Sequence, residues 1–214
     1  MLDFLNRIRK PVSIPISKKR LYSFFILLAG ILLGTISKML DETASNFLPP
    51  LLENLDLGNF FSRMGIWIFL AVLISVCSKA PFRAAANVFL FFSGMVGSYY
   101  LYTVFVAGFF PKSYMMIWIV LTCISPLMAF LCWYAKGNGI ISIVISASIF
   151  MFMSRQAFVF GFWYFDIRNI LEFILWTGTI FVLYQSPKQI AKVVILGILM
   201  FLLVSPFHLF WGWL

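Results

Sequence analysis

Seven stretches of this chain are nearly free of charge and close to membrane length. A helix needs about 20 apolar residues to cross the hydrocarbon core of a bilayer. Runs near that length cover residues 21–39, 60–77, 84–105, 115–134, 140–158, 169–184 and 193–213. In lipid each segment has to satisfy its own backbone amides, so such runs fold as helices. The expected fold is all-α: a polytopic transmembrane bundle of about seven spans, one domain over residues 21–214, preceded by a basic head over residues 1–20. Composition agrees. The chain is 63% hydrophobic and 11% charged, against roughly 25% charged in a soluble domain.

The charges then orient the bundle. Arg7, Arg9, Lys10, Lys18, Lys19, Arg20, Lys79, Arg83, Lys136, Lys188 and Lys192 fall on one side of the seven spans, together with Asp3. Lys38, Arg63, Lys112, Arg155 and Arg168 fall on the other, with the six remaining acids Asp41, Glu42, Glu53, Asp56, Asp166 and Glu172. Cytoplasmic loops are enriched in Lys and Arg, which predicts the N-terminus inside and, after seven crossings, the C-terminus outside. The net charge of +9 is therefore a match for anionic lipid at the cytoplasmic face and not a nucleic-acid footprint. Leu2, Phe4, Leu5 and Ile8 have helical spacing beside Arg7, Arg9 and Lys10, so the head is expected as a short amphipathic helix on the inner surface.

Small residues mark where helices approach closely. Gly30 and Gly34 lie four apart in the first span, and Ser93 and Gly97 repeat that spacing in the third. Such pairs let two backbones touch; packing within the bundle is the plainer use, and a partner membrane protein the other. Ser125-Pro126 and Ser205-Pro206 put prolines inside spans four and seven, where each removes a helical hydrogen bond. Residues 48–57 place Leu51, Leu52 and Leu55 at helical spacing around Glu53 and Asp56. They are expected as a short outer surface helix, either an interfacial anchor or a lid. The aromatic crowd at the outer edge, including Tyr99, Tyr100, Tyr102 and Phe109, is what an interfacial belt provides.

Ionisable groups within spans are functional candidates because burying them in lipid is costly. Arg155 lies about 23 Å up span five, at about 1.5 Å per residue. His208 reaches a similar height in span seven, and Glu172 lies about 5 Å below the outer end of span six. Their matched depths make Arg155 and Glu172 the expected ion pair of an outward-facing polar site, with His208, Lys38 and Asp166 near it. An interfacial salt bridge ordering the turn between spans five and six is the alternative.

Enzyme signatures are lacking: no His-Glu-x-x-His, no Gly-x-Ser-x-Gly and no phosphate-binding glycine loop. One histidine and three cysteines set in apolar segments give no metal-ligand spacing and no disulfide framework. No catalysis, metal or cofactor is expected.

The segments Gly58-Asn59-Phe60, Gly65-Ile66-Trp67, Ser78-Lys79-Ala80-Pro81-Phe82-Arg83-Ala84-Ala85, Ser98-Tyr99-Tyr100-Leu101-Tyr102 and Trp133-Tyr134-Ala135-Lys136-Gly137-Asn138-Gly139 resemble a family of small bacterial polytopic membrane proteins without an assigned function. That resemblance covers residues 21–140 and implies a multi-pass protein of the bacterial cell (inner) membrane. In size, long outer loop and polar outer site, the chain is also similar to substrate-binding subunits of vitamin-uptake transporters. Seven spans depart from the six usual there, and Gly30 and Gly34 stand where an Ala-x-x-x-Ala docking pattern is expected. The function expected is small-molecule binding or transport; the alternative is an accessory or assembly protein that holds a partner helix through Gly30 and Gly34.

Overall fold

The computed structural model describes residues 2–44, 47–109, 111–160 and 164–204. It is an all-α bundle. A short helix α1 (Leu2–Ile8) precedes the long α2 (Ile16–Glu42). Two short helices follow, α3 (Pro50–Asn54) and α4 (Leu57–Ser62), then α5 (Met64–Cys77), α6 (Pro81–Phe105), α7 (Lys112–Trp133) and α8 (Ile140–Ala157). A hairpin of β1 (Phe158–Phe160) and β2 (Phe165–Ile167) leads to α9 (Ile170–Leu183) and α10 (Pro187–Val204). The strands pair antiparallel, Val159 opposite Asp166.

Among the described residues, five helices are long and apolar enough to cross a membrane: α2, α6, α7 with the 3-10 turn that follows it, α8 and α10. The other two expected spans are helices of 14 residues, α5 and α9. At about 1.5 Å per residue each is about 21 Å long, short of the roughly 30 Å hydrocarbon core. The expected span over residues 60–77 is broken at Arg63, whose extended backbone separates α4 from α5. The last helix starts at Pro187, earlier than expected; residues 205–214, with Pro206 and His208, lie outside the described residues.

The tightest seam joins α2 and α6, which run parallel. A Cβ on Gly30 would collide with the carbonyl oxygen of Phe91, and one on Gly34 with that of Met95. From the other side, a Cβ on Gly94 would lie 2.7 Å from the carbonyl oxygen of Leu27. Ser98 Oγ completes the seam by donating to the Ile31 carbonyl at 2.9 Å. The α6 partners of Gly30 and Gly34 are thus Gly94 and Ser98, one residue beyond the expected Ser93 and Gly97. Gly97 is exposed and has nothing within reach of a Cβ; Ser93 is half-buried. Four-residue spacing cannot by itself choose between two adjacent registers on one helix. In α7 Pro126 has no N–H to offer the Thr122 carbonyl, and Ser125 Oγ donates to that carbonyl at 2.8 Å, as Ser-Pro predicts.

The starts of α2, α6, α8 and α10 and the ends of α5, α7 and α9 share one end of the bundle, which holds the eleven clustered Lys and Arg residues; we term it the basic end. The head does not lie freely there. Ile8 is buried, its carbonyl accepts from Asn138 N at 2.7 Å, and a Cβ on Gly137 would be 2.6 Å from that same carbonyl oxygen. Arg9 donates from Nη1 to the Trp133 carbonyl at 2.6 Å and from Nη2 to the Val76 carbonyl at 2.9 Å. Those carbonyls belong to the last turns of α7 and α5, where a cation is favoured. The guanidinium also lies 4.3 Å from the Trp133 ring centroid, so the head is a strap across two helix ends. Of the cysteines, Cys77 and Cys123 are exposed on the bundle rather than buried, and Cys132 is half-buried.

The strap yields a prediction. Gly137→Leu overpacks the Ile8 contact at a cost of about 1–3 kcal/mol, and proteolysis tracks the population of the open form. Trypsin should then cut after Arg7 and Arg9 about tenfold faster in the folded variant than in the parent. Equal cleavage rates would show that the head is not held by this contact.

Candidate functional site

Opposite the basic end lies the acidic end, where the last turns of α2 and α6, the start of α7, and α3–α5 meet. Lys38 is 2% exposed there, a depth at which lysine is found only when paired. Its ammonium meets Asp41 Oδ2 at 3.1 Å and Glu42 Oε1 still more closely. Helical spacing brings both acids within reach. Tyr99 Oη donates to the same Asp41 Oδ2 at 2.9 Å. The Lys38 ammonium also sits 5.2 Å from the Tyr99 ring centroid and 5.0 Å from that of Phe109.

Beside this cluster, aromatic side chains close around a small cavity of about 20 Å³. Phe61, Trp67, Tyr99, Tyr100, Tyr114 and Trp118 wall it, with Ser37, Ser62 and Asp41. The rings support one another: Phe61 to Trp67 at 5.9 Å, Tyr99 to Tyr100 at 5.4 Å and Tyr114 to Trp118 at 6.3 Å between centroids. Trp67 is fixed further, since its Nε1 donates to the Phe61 carbonyl at 2.8 Å. Tyr100 is 7% exposed, and its hydroxyl is buried without a hydrogen-bond partner among the described residues. A buried polar group left unpaired costs about 1–3 kcal/mol.

A second cavity of about 260 Å³ shares Asp41 and Ser62 with this cage. It is bounded by Thr43, Glu53, Asp56 and Asn59 and by leucines of α2–α4, and it forms a vestibule whose charged walls are all acidic. In place of one helix over residues 48–57, α3 covers 50–54 and α4 begins only at Leu57. They turn at Asp56, which holds the left-handed φ of +52° that Asp tolerates better than most residues. Leu52 and Leu55 are half-buried and Glu53 is exposed, as a surface helix requires, but Asp56, expected to face water, is half-buried beside Arg63, and the Leu51 side chain lies outside the described residues.

The acidic end also holds an ion pair that depth alone could not identify. Glu172 is 1% exposed in the first turn of α9, whose N-cap Asn169 accepts from Leu171 N at 2.8 Å. Its Oε1 meets Arg63 Nη1 at 3.2 Å, and Arg63 Nη2 lies 3.6 Å from Asp56 Oδ2. Its Oε2 is buried without a partner among the described residues. Arg155 does not reach Glu172; its Nη1 donates to the Val204 carbonyl at 3.2 Å. Arg63, Arg155 and Arg168 all occupy the depth that fits Glu172; the packing of α5 against α9 gives the direct bond to Arg63, while Arg168 acts on Glu172 electrostatically. Asp166 is exposed on the hairpin and accepts from Ile167 N at 2.7 Å, apart from this pair. His208 falls outside the described residues. Of the five expected site residues, Lys38 is the one that borders the aromatic cage, and the expected grouping of Arg155, Glu172 and Asp166 is not formed.

Tyr100 is a cavity wall and not part of a lipid-facing belt, which corrects the expectation from its position. The signal was present in sequence: the Tyr99-Tyr100 pair opposes Trp67 and Trp118, one per neighbouring span. A larger apolar cavity of about 350 Å³ lies among α5, α6, α7 and α8, and Trp67 and Trp118 belong to both. Its serines, Ser75, Ser125 and Ser148, all donate back to carbonyls of their own helices, so none of these hydroxyls is a free donor.

No family model matches the chain, and no similar curated protein or solved structure was found.

Proposed function

We propose that this is a multi-pass protein of the bacterial cell membrane that binds, and in transport takes up, a small molecule presented at its acidic end. In this reading the basic end faces the cytoplasm, and α5 and α9 complete seven crossings by reaching the interface through the elements that precede them. The observation that carries it is a pair of neighbouring cavities at the acidic end, an acidic vestibule and an aromatic cage that share Asp41 and Ser62 as walls. Ligand sites commonly have this form, concave and largely apolar with a few fixed polar groups. The accessory-protein alternative loses its main feature, because α6 already fills the approach to Gly30 and Gly34.

Two measurements test the reading. Cysteines introduced at 12–18 should resist an impermeant reagent applied to intact cells, and cysteines at 47–58 should react; the reverse pattern would overturn the orientation. Native mass spectrometry of gently purified protein should reveal a co-purified small molecule that Trp67→Ala removes. A ligand retained in full by that variant would place binding elsewhere.

A further inference from the structure

We propose that the aromatic cage takes the ammonium head of an alkylammonium ligand, an organic cation with an N–H to donate and an apolar substituent. This rests on the reading that ligands enter from the acidic end.

Six aromatic rings around one small cavity make a recognition surface for positive charge, since a cation within about 6 Å of a ring centroid is attracted by the ring quadrupole. The protein already uses one ring of this wall in that way: the Lys38 ammonium rests over Tyr99, and also over Phe109, which is not part of the cage. Local charge has the same preference. The charged side chains that line the two cavities are Asp41, Glu53 and Asp56, and the whole end holds the six acids Asp41, Glu42, Glu53, Asp56, Asp166 and Glu172 against the five cations Lys38, Arg63, Lys112, Arg155 and Arg168. A concave site lined by one sign of charge concentrates ligands of the other. Asp41 has room to respond, because both Lys38 and Tyr99 bond its Oδ2.

The unpartnered hydroxyl of Tyr100 narrows the class. It is buried in the cage wall, and a phenol oxygen accepts from an N–H. A primary ammonium satisfies it; a quaternary one does not. The cavity of about 20 Å³ admits one group of about the size of a water molecule, which an –NH₃⁺ head fits and a trimethylammonium head exceeds. Trp67 and Trp118, shared with the apolar cavity, provide the surface against which the alkyl part packs.

Isothermal titration calorimetry on the full-length protein in detergent tests this with four probes: n-butylammonium, tetramethylammonium, n-butanol and butyrate. Butylammonium is expected to bind and to quench tryptophan fluorescence. Tetramethylammonium, butanol and butyrate should bind at least about tenfold more weakly, a difference of about 1.4 kcal/mol. Tyr100→Phe, which keeps the ring and removes only the oxygen, should weaken butylammonium binding about tenfold while its melting temperature stays at or above that of the parent. Asp41→Asn should weaken it likewise. Butanol or butyrate binding as well as butylammonium would overturn the assignment of charge, and equal binding of tetramethylammonium would overturn the role of Tyr100. If butylammonium does not bind while a co-purified ligand is still lost in Trp67→Ala, the cation assignment fails and the outward-facing site survives. If neither is observed, both fail.

Discussion

Arg63→Met lowers the thermal stability of the purified protein more than Arg63→Met combined with Glu172→Gln. Glu172 is 1% exposed and Arg63 is its cation. Removing one member of a buried pair strands the other charge and costs about 3–5 kcal/mol; the partial exposure of Arg63 places this case near the lower value. Changing Glu172 to Gln in the same chain removes the stranded charge and recovers part of the loss. Arg155→Met serves as the contrast, because among the described residues Arg155 bonds the Val204 carbonyl and not Glu172. Its effect should be about 1–3 kcal/mol and additive with Glu172→Gln. Melting curves in detergent for the single and double variants decide this. Additivity for Arg63 and Glu172, or strong coupling for Arg155 and Glu172, would mean that the arginine is assigned wrongly. The pair also joins the entry of α5 to that of α9, so its loss should loosen both short helices together, read as faster hydrogen exchange at their first turns.

Gly30→Leu separates α2 from α6 and gives the largest packing defect expected in the protein. The obstruction is backbone, the Phe91 carbonyl, so no rotamer change relieves it and the helices have to move apart. Overpacking costs about 1–3 kcal/mol even where side chains adjust, and a rigid obstacle puts this variant at or beyond that range. Gly34→Leu meets the Met95 carbonyl and Ser98 Oγ and should behave alike. Gly97→Ala, at the position singled out by spacing alone, meets nothing and should be neutral or stabilise by up to about 1 kcal/mol, since alanine favours helix over glycine. Monodispersity by size exclusion and the melting temperature measure both effects. A neutral Gly30→Leu would mean that α2 and α6 are not in contact there.

Much of the candidate site was readable in outline but not in its pairings. Lys38 was recognisable as an intramembrane cation, and its partners Asp41 and Glu42 follow from helical spacing within the same α2. Glu172 was recognisable as a buried acid, but its partner lies 109 residues away in sequence on a helix with its own break. The aromatic cage draws on α4, α5, α6 and α7; each ring taken alone reads as an interfacial aromatic, and only their convergence makes a cavity. The head read as an amphipathic surface helix because its local spacing allows one. The structure turns it under the bundle instead, because Gly137 leaves room for Ile8 and two helix C-termini offer carbonyls to Arg9.

What the chain determined by itself is whatever depends on local or one-dimensional properties. Hydropathy runs set the helices, since lipid forces each apolar segment to bond internally. Charge order separated a basic end from an acidic one. Ser125 preceding Pro126 set how a proline-containing helix satisfies its freed carbonyl. The tertiary structure decided everything that needs a choice among equivalent partners: Gly94 and Ser98 over Ser93 and Gly97, Arg63 over Arg155, and a cage rather than a belt at Tyr100. The physical reason is the same each time. Several residues lay at the same depth or on adjacent helical registers, with the same chemistry, and the distinguishing energy came from close packing between segments far apart in sequence, which falls off within a few ångströms and leaves no trace in spacing.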